Sequence, residues 1–355
     1  AYEIPKRDWS SDVCSSDLEG GRDAFYQGRT AAAIVKAVRE RGGYLTEADL
    51  AGHVANWVEP IRTSYRGYEL CEMPPNTQGF VALEMLNILE GFDVASMGHN
   101  SAEYLHTLVE AKGIAFADRA TYLADPGHVP AATLATLISK DYAAARRSDI
   151  NPRRAMPQHS PGSFDGRDHG DTVYLAAADG QGNAISLINS LFGSFGSGVV
   201  VPGTGIALHN RASGFVTTKG HPNEVGPKKR PFHTIIPAFI TKDGKPVATF
   251  GLMGGAMQPQ GHMQVFSRIV DYGQNPQAAI DAPRWRVHES DGTIWTESHM
   301  APDTATGLEA LGHKLTRQPW PNSGFGASQI IWKFPEGGPY LGASESRRDG
   351  AAVGF

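Results

Sequence analysis

The sequence predicts an α+β fold in which helices and strand hairpins are stacked in layers. Helical spacing of apolar residues dominates the chain up to about residue 150, hairpin patterns begin after residue 170, and helical spacing then returns. The 41 glycines and 23 prolines among 355 residues favour short strands and tight turns over long helices. The sequence shows no internal repeat and no βαβ alternation.

Composition excludes several classes of protein. With 41% hydrophobic and 19% charged residues, the chain is neither disordered nor a coiled coil. A net charge of −5 offers no basic surface for nucleic acid, and no run of 18 apolar residues predicts a membrane span. Two cysteines, Cys14 and Cys71, cannot form a disulfide framework or a four-cysteine zinc site. The length fits one large domain or two smaller ones.

The first half of the chain is predicted to be mainly helical. Residues 1–18, with a repeated Ser-Ser-Asp, are interpreted as a sequencing artefact or a disordered tail. The predicted elements are a helix from Thr30 stopped at Gly42-Gly43, a capped short helix at Thr46–Leu50, a strand or hairpin at Ile61–Cys71, a helix at Phe80–Leu89, and an amphipathic helix at Ala102–Leu123. Within the last helix, Asp118-Arg119 is interpreted as a structural ion pair.

The second half is predicted to be richer in strands. Residues 151–170 form a Pro- and Gly-rich loop, and a buried strand follows it. The predicted elements are a hairpin of Thr172–Ala178 and Ala184–Leu191, a hairpin of Thr234–Ile240 and Val247–Leu252, and helices at Gly261–Tyr272 and Ala305–Leu311.

Common catalytic signatures are missing from the sequence. There is no Gly-x-Ser-x-Gly, no phosphate-binding glycine loop and no His-Glu-x-x-His motif. The 13 histidines show no ligand spacing, so no metal and no cofactor are predicted.

Thr172 is the candidate nucleophile, because a flexible loop leads directly into a strand headed by this threonine. Cleavage of the bond before a threonine frees an α-amine, which can act as the base for that residue's own hydroxyl. The alternative is an ordinary threonine at the start of a strand, a position that β-branched residues favour.

The segment that follows Thr172 resembles the signature of the γ-glutamyltransferase family. It reads DGQGNAISLINSLFGSFGSGVVVPGTGIALHNRASGF from Asp179 to Phe215. Further matches to the family's large and small subunits lie at Arg62–Tyr68, Met73–Pro75, Leu86–Phe92, Ala117–Arg119, Lys229–Pro231 and Gly254-Gly255. The resemblance covers about residues 19–355, and family members carry a long further segment before this point. The chain is therefore interpreted as a fragment of such a protein.

This resemblance implies a four-layer αββα sandwich of the N-terminal-nucleophile hydrolase type. It implies a large-subunit part at 19–171 and a small subunit at 172–355, which form a heterodimer after self-cleavage. By matching position, Thr172 is the processed nucleophile and Ser190 is the hydroxyl residue that hydrogen-bonds it. The backbone N–H groups of Gly254 and Gly255 form the oxyanion hole.

The substrate pocket departs from the transferase pattern. Phe192 replaces an asparagine, Ser213-Gly214 replace an acidic pair, and His233-Thr234 replace a serine pair. Asn210 matches the asparagine of the family pattern. Arg211, which follows it, stands where the transferases have an uncharged amide or an acidic residue. We expect Phe192, Asn210, Arg211, His233 and Thr234 to bind substrate, with Arg211 on an acyl carboxylate. A solvated surface arginine and a strand histidine bonded to a carbonyl are the plain alternatives for Arg211 and His233.

The predicted function is hydrolysis of a small-molecule amide through a threonyl ester, with water or an amine as acceptor. Within the family, the pocket resembles oxamate amidohydrolases and cephalosporin acylases more than transferases. One alternative is a true γ-glutamyl transferase or glutathione hydrolase, and another is an inactive, unprocessed fragment with a binding or scaffold role. No nucleic acid or membrane partner is expected, and the compartment, cytoplasmic or periplasmic, stays open.

Overall fold

The computed structural model describes residues 20–156, 170–289, 291–334 and 338–354. The predicted tail at 1–18 and most of the predicted loop at 151–170 lie outside these residues.

The α-helices are α1 (20–26), α2 (Arg29–Arg39), α3 (Glu47–Ala51), α4 (Gly79–Leu89), α5 (Ala102–Tyr122), α6 (Ala131–Leu137), α7 (Lys140–Arg147), α8 (Met257–Val270), α9 (Pro276–Asp281) and α10 (Pro302–Ala310). The strands are β1 (Ile61–Tyr65), β2 (Tyr68–Glu72), β3 (Gly170–Ala178), β4 (Ala184–Gly193), β5 (Ala238–Lys242), β6 (Lys245–Met253), β7 (Trp285–Val287), β8 (Ile294–Glu297), β9 (Leu315–Gln318), β10 (Ala327–Lys333) and β11 (Tyr340–Ser344).

The chain divides into two compact units. The smaller consists of Ala1–Val58 with Gly193–Asn210, and the larger consists of Glu59–Phe192 with Arg211–Phe355. In the smaller unit, the apolar face of α2 packs against residues of the second segment around the buried Val201. The predicted cap at Thr46 is confirmed, because its hydroxyl accepts from the Asp49 N–H and the Asp49 carboxylate accepts from the Thr46 N–H.

The larger unit is built on a six-stranded antiparallel sheet. Its strand order is β1-β2-β5-β6-β10-β11, with β5 and β6 at the centre. Helices α4, α5 and α8 form its main apolar core with the sheet, and every residue of α4 is buried. A further three-stranded sheet has the order β7-β8-β9.

Two neighbouring residues of β6, Gly251 and Leu252, show how the layers are stacked. A Cβ on Gly261 of α8 would meet Leu252, whereas a Cβ on Gly251 would meet the ring of Tyr174 in β3. Since neighbouring residues of a strand point to opposite faces, α8 covers one face of the sheet and β3 covers the other. A layer of helices, the six-stranded sheet and the β3–β4 hairpin are therefore stacked in that order in this unit. The predicted α+β class is confirmed.

Two predictions about the helices are wrong. Helix α5 is not amphipathic, because it packs against α4, α8 and α10 and buries polar residues such as Lys112 along with its apolar ones. Asp118 and Arg119 do not pair with each other: Asp118 accepts from the Tyr142 hydroxyl, and Arg119 pairs with Glu289 at 2.7 Å. Neighbouring residues on a helix point in different directions, which separates the two charges. None of the described helices is long and apolar enough to cross a bilayer.

Three predictions about the strands also need correction. The strand predicted from Thr234 begins at Ala238. The residues just before Ala238 already alternate between buried and partly buried, as in a strand. Strand β3 is buried on one face only, and Val173 is 65% exposed on the other. Strands β8 and β9 are parallel and are joined through α10, so one βαβ unit is present where none was predicted.

Candidate active site

The predicted nucleophile lies near the start of β3, with its side chain buried. Thr172 is 4% exposed, and its Oγ1 donates a hydrogen bond to Oγ of Ser190 on the adjacent strand β4 at 3.1 Å. The same Ser190 oxygen accepts the backbone N–H of Phe192 at 2.9 Å. The two residues predicted as nucleophile and supporting hydroxyl are therefore in direct contact.

Arg211 lies beside this pair. Its Nη2 donates to the backbone oxygen of Ser190 at 3.4 Å, and its guanidinium lies 5.5 Å from the ring centre of Phe192. Burial lowers the pKa of Arg211 to about 10, so it still carries its charge at neutral pH. The plain alternative of a solvated surface arginine is wrong, because only 5% of the residue is exposed.

Gly254 and Gly255 form the turn between β6 and α8. Both have positive φ angles, +124° and +60°, which side chains disfavour. A Cβ on Gly254 would also lie 3.1 Å from the Cα of Gly326. The turn precedes the N terminus of the 14-residue α8, where the helix dipole favours negative charge. This backbone is suited to hold a developing oxyanion.

His233 and Thr234 lie in the segment that leads to β5, and the backbone of His233 pairs with that of Thr77. The amide of Asn76 donates to Nδ1 of His233, which leaves its proton on Nε2. This contact involves Nδ1 alone, so the predicted alternative of a strand histidine bonded to a carbonyl stays a prediction.

Gln78 is a functional candidate that the sequence did not reveal. Its fully buried amide nitrogen donates to the backbone oxygens of Thr234 at 2.8 Å and of Gly255 at 3.0 Å. Its Oε1 accepts from Arg119 at 2.7 Å. A single glutamine thus joins the predicted pocket to the predicted oxyanion turn, and no local motif marks it.

Two contacts of aromatic side chains connect the strands that carry Thr172 and Ser190 to His233 and to the Gly254-Gly255 turn. Phe192 packs edge-on against Phe232, with 6.5 Å between ring centres, and Phe232 precedes His233 in the chain. Tyr174, two residues after Thr172, packs in one buried cluster with Met253, which precedes Gly254. The structure thus connects the predicted residues of the larger unit through short chains of contacts.

Asn210 belongs to the smaller unit. Its Oδ1 accepts the backbone N–H of Gly193 at 2.8 Å, within that unit. This bond joins the two ends of the segment Gly193–Asn210.

Comparisons with known proteins agree on one family. Residues 18–355 match the family model described as gamma-glutamyltranspeptidase. The glutathione hydrolase-like YwrD proenzyme of Bacillus subtilis is 39% identical over 95% of this chain and 63% of its own length. The oxamate amidohydrolase proenzyme of Klebsiella pneumoniae is 32% identical over 94% of this chain and 62% of its own.

A solved structure agrees with these relatives. The cephalosporin acylase from Bacillus halodurans superposes with a TM-score of 0.90 and 42% identity, over 98% of this chain and 62% of that one. The fold is that of the N-terminal-nucleophile hydrolases. The chain spans about three-fifths of the length of these proteins.

Proposed function

The chain belongs to the γ-glutamyltranspeptidase family, and from that premise we propose that it carries the nucleophile of a self-cleaving amide hydrolase. The observation that carries this proposal is the buried hydrogen bond from Thr172 to Ser190. A buried, oriented hydroxyl at the start of a strand is what an N-terminal threonine nucleophile requires.

Maturation would be the first reaction. Oγ1 of Thr172 attacks the carbonyl carbon of residue 171, the C–N bond breaks, and the nitrogen keeps its place on Thr172 as an amine. The resulting ester is then hydrolysed by water, which leaves a carboxyl group on residue 171 and restores the hydroxyl. The relatives named as proenzymes support this order of events. The products would be chains of residues 1–171 and 172–355, which remain together as a heterodimer.

Turnover would use the same hydroxyl on a substrate amide. The freed α-amine accepts the proton of Oγ1 as the oxygen attacks, and it returns that proton to the leaving amine. Ser190 holds Oγ1 in position, and the N–H groups of Gly254 and Gly255 stabilise the oxyanion. Loss of one such donor typically costs about 100- to 1,000-fold in rate. Water, or an acceptor amine, then releases the acyl group from Thr172.

The acyl group is proposed to carry a carboxylate. Arg211 is buried, keeps its charge, and bonds the backbone of Ser190, so its guanidinium lies next to the residue that holds the nucleophile. A substrate carboxylate would offset the cost of burying this cation. Phe192 and Phe232 provide an apolar wall, and His233, which follows Phe232 in the chain, is proposed to contact the substrate beside it.

Two other functions remain to be tested. A γ-glutamyl transferase or glutathione hydrolase is favoured by the 39% identity to the glutathione hydrolase-like relative. An unprocessed protein with only a binding or scaffold role would show neither cleavage nor turnover.

The acyl preference is tested with two anilides that differ only in an α-amine, a glutaryl anilide and a γ-glutamyl anilide. We expect faster hydrolysis of the glutaryl compound. Replacing Arg211 by alanine removes a charge-assisted hydrogen bond worth about 1.5–3 kcal/mol, so kcat/KM should fall by about 10- to 150-fold. Arg211→Lys should recover part of this loss, because it restores the charge without the planar fork.

The matched control is Arg153→Ala, which removes an exposed arginine. An Arg211→Ala enzyme that hydrolyses the glutaryl anilide as well as its parent would end the carboxylate proposal. A strong preference for the γ-glutamyl anilide would favour the transferase function. No hydrolysis of either compound by a cleaved protein would count against amide hydrolysis altogether.

A further inference from the structure

A buried cluster of metal-ligating side chains lies outside the proposed active site. His106 and Glu110 are four residues apart on α5 and therefore share one face of that helix. His313 joins them from the turn between α10 and β9. His106 and Glu110 are at most 1% exposed, and the His313 side chain is 7% exposed.

The three side chains point their ligand atoms at a common centre. Nδ1 of His106 lies 2.7 Å from Nε2 of His313, which lies 3.9 Å from Oε1 of Glu110. One ligand atom from each residue falls within 4.8 Å of the other two. In tetrahedral zinc sites with Zn–N bonds of about 2.0–2.1 Å, neighbouring ligand atoms lie about 3.3 Å apart. The two observed distances bracket that value.

We propose that His106, Glu110 and His313 bind a divalent transition-metal ion of the zinc class. Two imidazole nitrogens and one carboxylate oxygen form a ligand set that zinc commonly takes, with a water in the fourth position. The proposal rests on residues that play no part in the proposed function. It also reverses the prediction, made from the scattered histidines, that no metal binds.

The second layer of contacts fits a metal site. Nε2 of His106 donates to the backbone oxygen of Asn151 at 2.8 Å, so Nδ1 of His106 accepts from Nε2 of His313, and a metal ion would replace the hydrogen between these two nitrogens. The Glu110 carboxylate accepts the backbone N–H of Met156 at 3.2–3.3 Å. Metal-binding histidines and carboxylates usually have such partners, which fix the ring tautomer and the ligand orientation.

The charges of the cluster also favour a cation. Burial raises the pKa of Glu110 to about 7 and lowers the pKa of His106, because each charged form is desolvated. A divalent ion would offset the buried carboxylate.

The cluster has a structural consequence for the end of the predicted large-subunit part. Asn151 and Met156 are both bonded to its ligands, and the Ala155 N–H donates to the Leu311 oxygen at 2.8 Å. A bound ion would therefore fasten residues 151–156 to α5 and to the turn after α10. Because the ion binds only the folded chain, it should raise the melting temperature.

The test is zinc stoichiometry in the full chain, freed of any affinity tag, after dialysis against dilute Zn²⁺. We expect one zinc per chain, a higher Tm with zinc than with a chelator, and loss of the bound zinc in Glu110→Gln and in His313→Gln. Glu103→Gln, an exposed change on the same helix, and His128→Gln, an exposed histidine, should keep the zinc. Thr172→Ala should also keep it, which separates this test from that of the proposed function.

Crystals of the unaltered chain provide a measurement that does not depend on the folding of any variant. Anomalous scattering at the zinc edge should give a peak between His106, Glu110 and His313. Absence of bound zinc, a peak at another position, or full retention of zinc in both ligand variants would overturn the proposal.

Discussion

Ser190 holds two partners of the candidate active site through two different atoms. Its side-chain oxygen accepts from Thr172, and its backbone oxygen accepts from Arg211. Phe192, two residues later, has a φ of +78°, a left-handed conformation that costs about 1–3 kcal/mol in a residue other than glycine. Its N–H bond to the Ser190 side chain and its contacts with Arg211 and Phe232 hold it there. Strain of this kind is typical of functional sites.

Replacing Ser190 by alanine isolates the first of these contacts. Thr172 loses its acceptor, while the backbone oxygen that Arg211 uses is kept. A hydrogen bond is worth about 1 kcal/mol net, so both self-cleavage and amide turnover should slow by about fivefold, with little change in KM. Rates of cleavage and turnover are measured against Asn189→Ala, which alters the exposed neighbour on β4. Equal rates in the two variants would show that Ser190 does not position the nucleophile.

The residues of the site were predictable to different degrees. The resemblance to the family implied the contact between Thr172 and Ser190, because Ser190 lies within the segment that resembles the family signature and Thr172 lies shortly before it. Gln78 could not, because its partners lie 156 and 177 residues away and a lone glutamine carries no pattern. His106 and Glu110 did carry a signal, their spacing of four on a helix, but the third ligand comes from 207 residues away.

Among the elements, the contact between β3 and β6 positions the proposed nucleophile, Thr172. The ring of Tyr174 lies directly over Gly251, in the space that a side chain at residue 251 would fill. Tyr174 is buried, and its hydroxyl contacts Ser186 on β4 at 2.9 Å. The hairpin that carries Thr172 and Ser190 is thereby fixed against the central sheet.

Gly251→Ala should therefore destabilise the protein. The new Cβ would lie 2.3 Å from the Tyr174 ring, and overpacking of this kind costs about 1–3 kcal/mol. The comparison is Gly180→Ala, in the turn between β3 and β4, where a Cβ meets nothing within 4 Å. Urea unfolding should show a lower midpoint for Gly251→Ala alone. If both variants unfold at the same midpoint, Tyr174 is not held by this contact.

The differences between predicted and observed elements have physical reasons. The turn between β3 and β4 was predictable, because Asp179 caps it through three hydrogen bonds from Gln181 and Asn183. The segment before β5 has the alternating burial of a strand, but Pro237 has no N–H and the Ile236 N–H donates to the Gln258 side chain. The start of α8 was missed because Pro259 lies in its first turn, where proline is tolerated.

At the scale of the whole molecule, the proposed reaction and the proposed metal site occupy different regions of the larger unit. The proposed reaction uses Thr172 and Ser190 of the hairpin β3–β4 and the turn before α8. The metal site depends on α5 and the turn after α10. The two are separable by experiment, because Thr172→Ala, Ser190→Ala and Arg211→Ala keep all three proposed metal ligands, and Glu110→Gln and His313→Gln keep the proposed nucleophile and its partners.

Intact-mass spectrometry of the purified chain beside Thr172→Ala decides whether Thr172 is an N-terminal nucleophile. We expect two pieces whose masses sum to that of the 38.1 kDa chain plus one water, with one piece beginning at Thr172. The control should stay whole. A single uncut chain, or the same cleavage in Thr172→Ala, would show that Thr172 is not an N-terminal nucleophile in this chain.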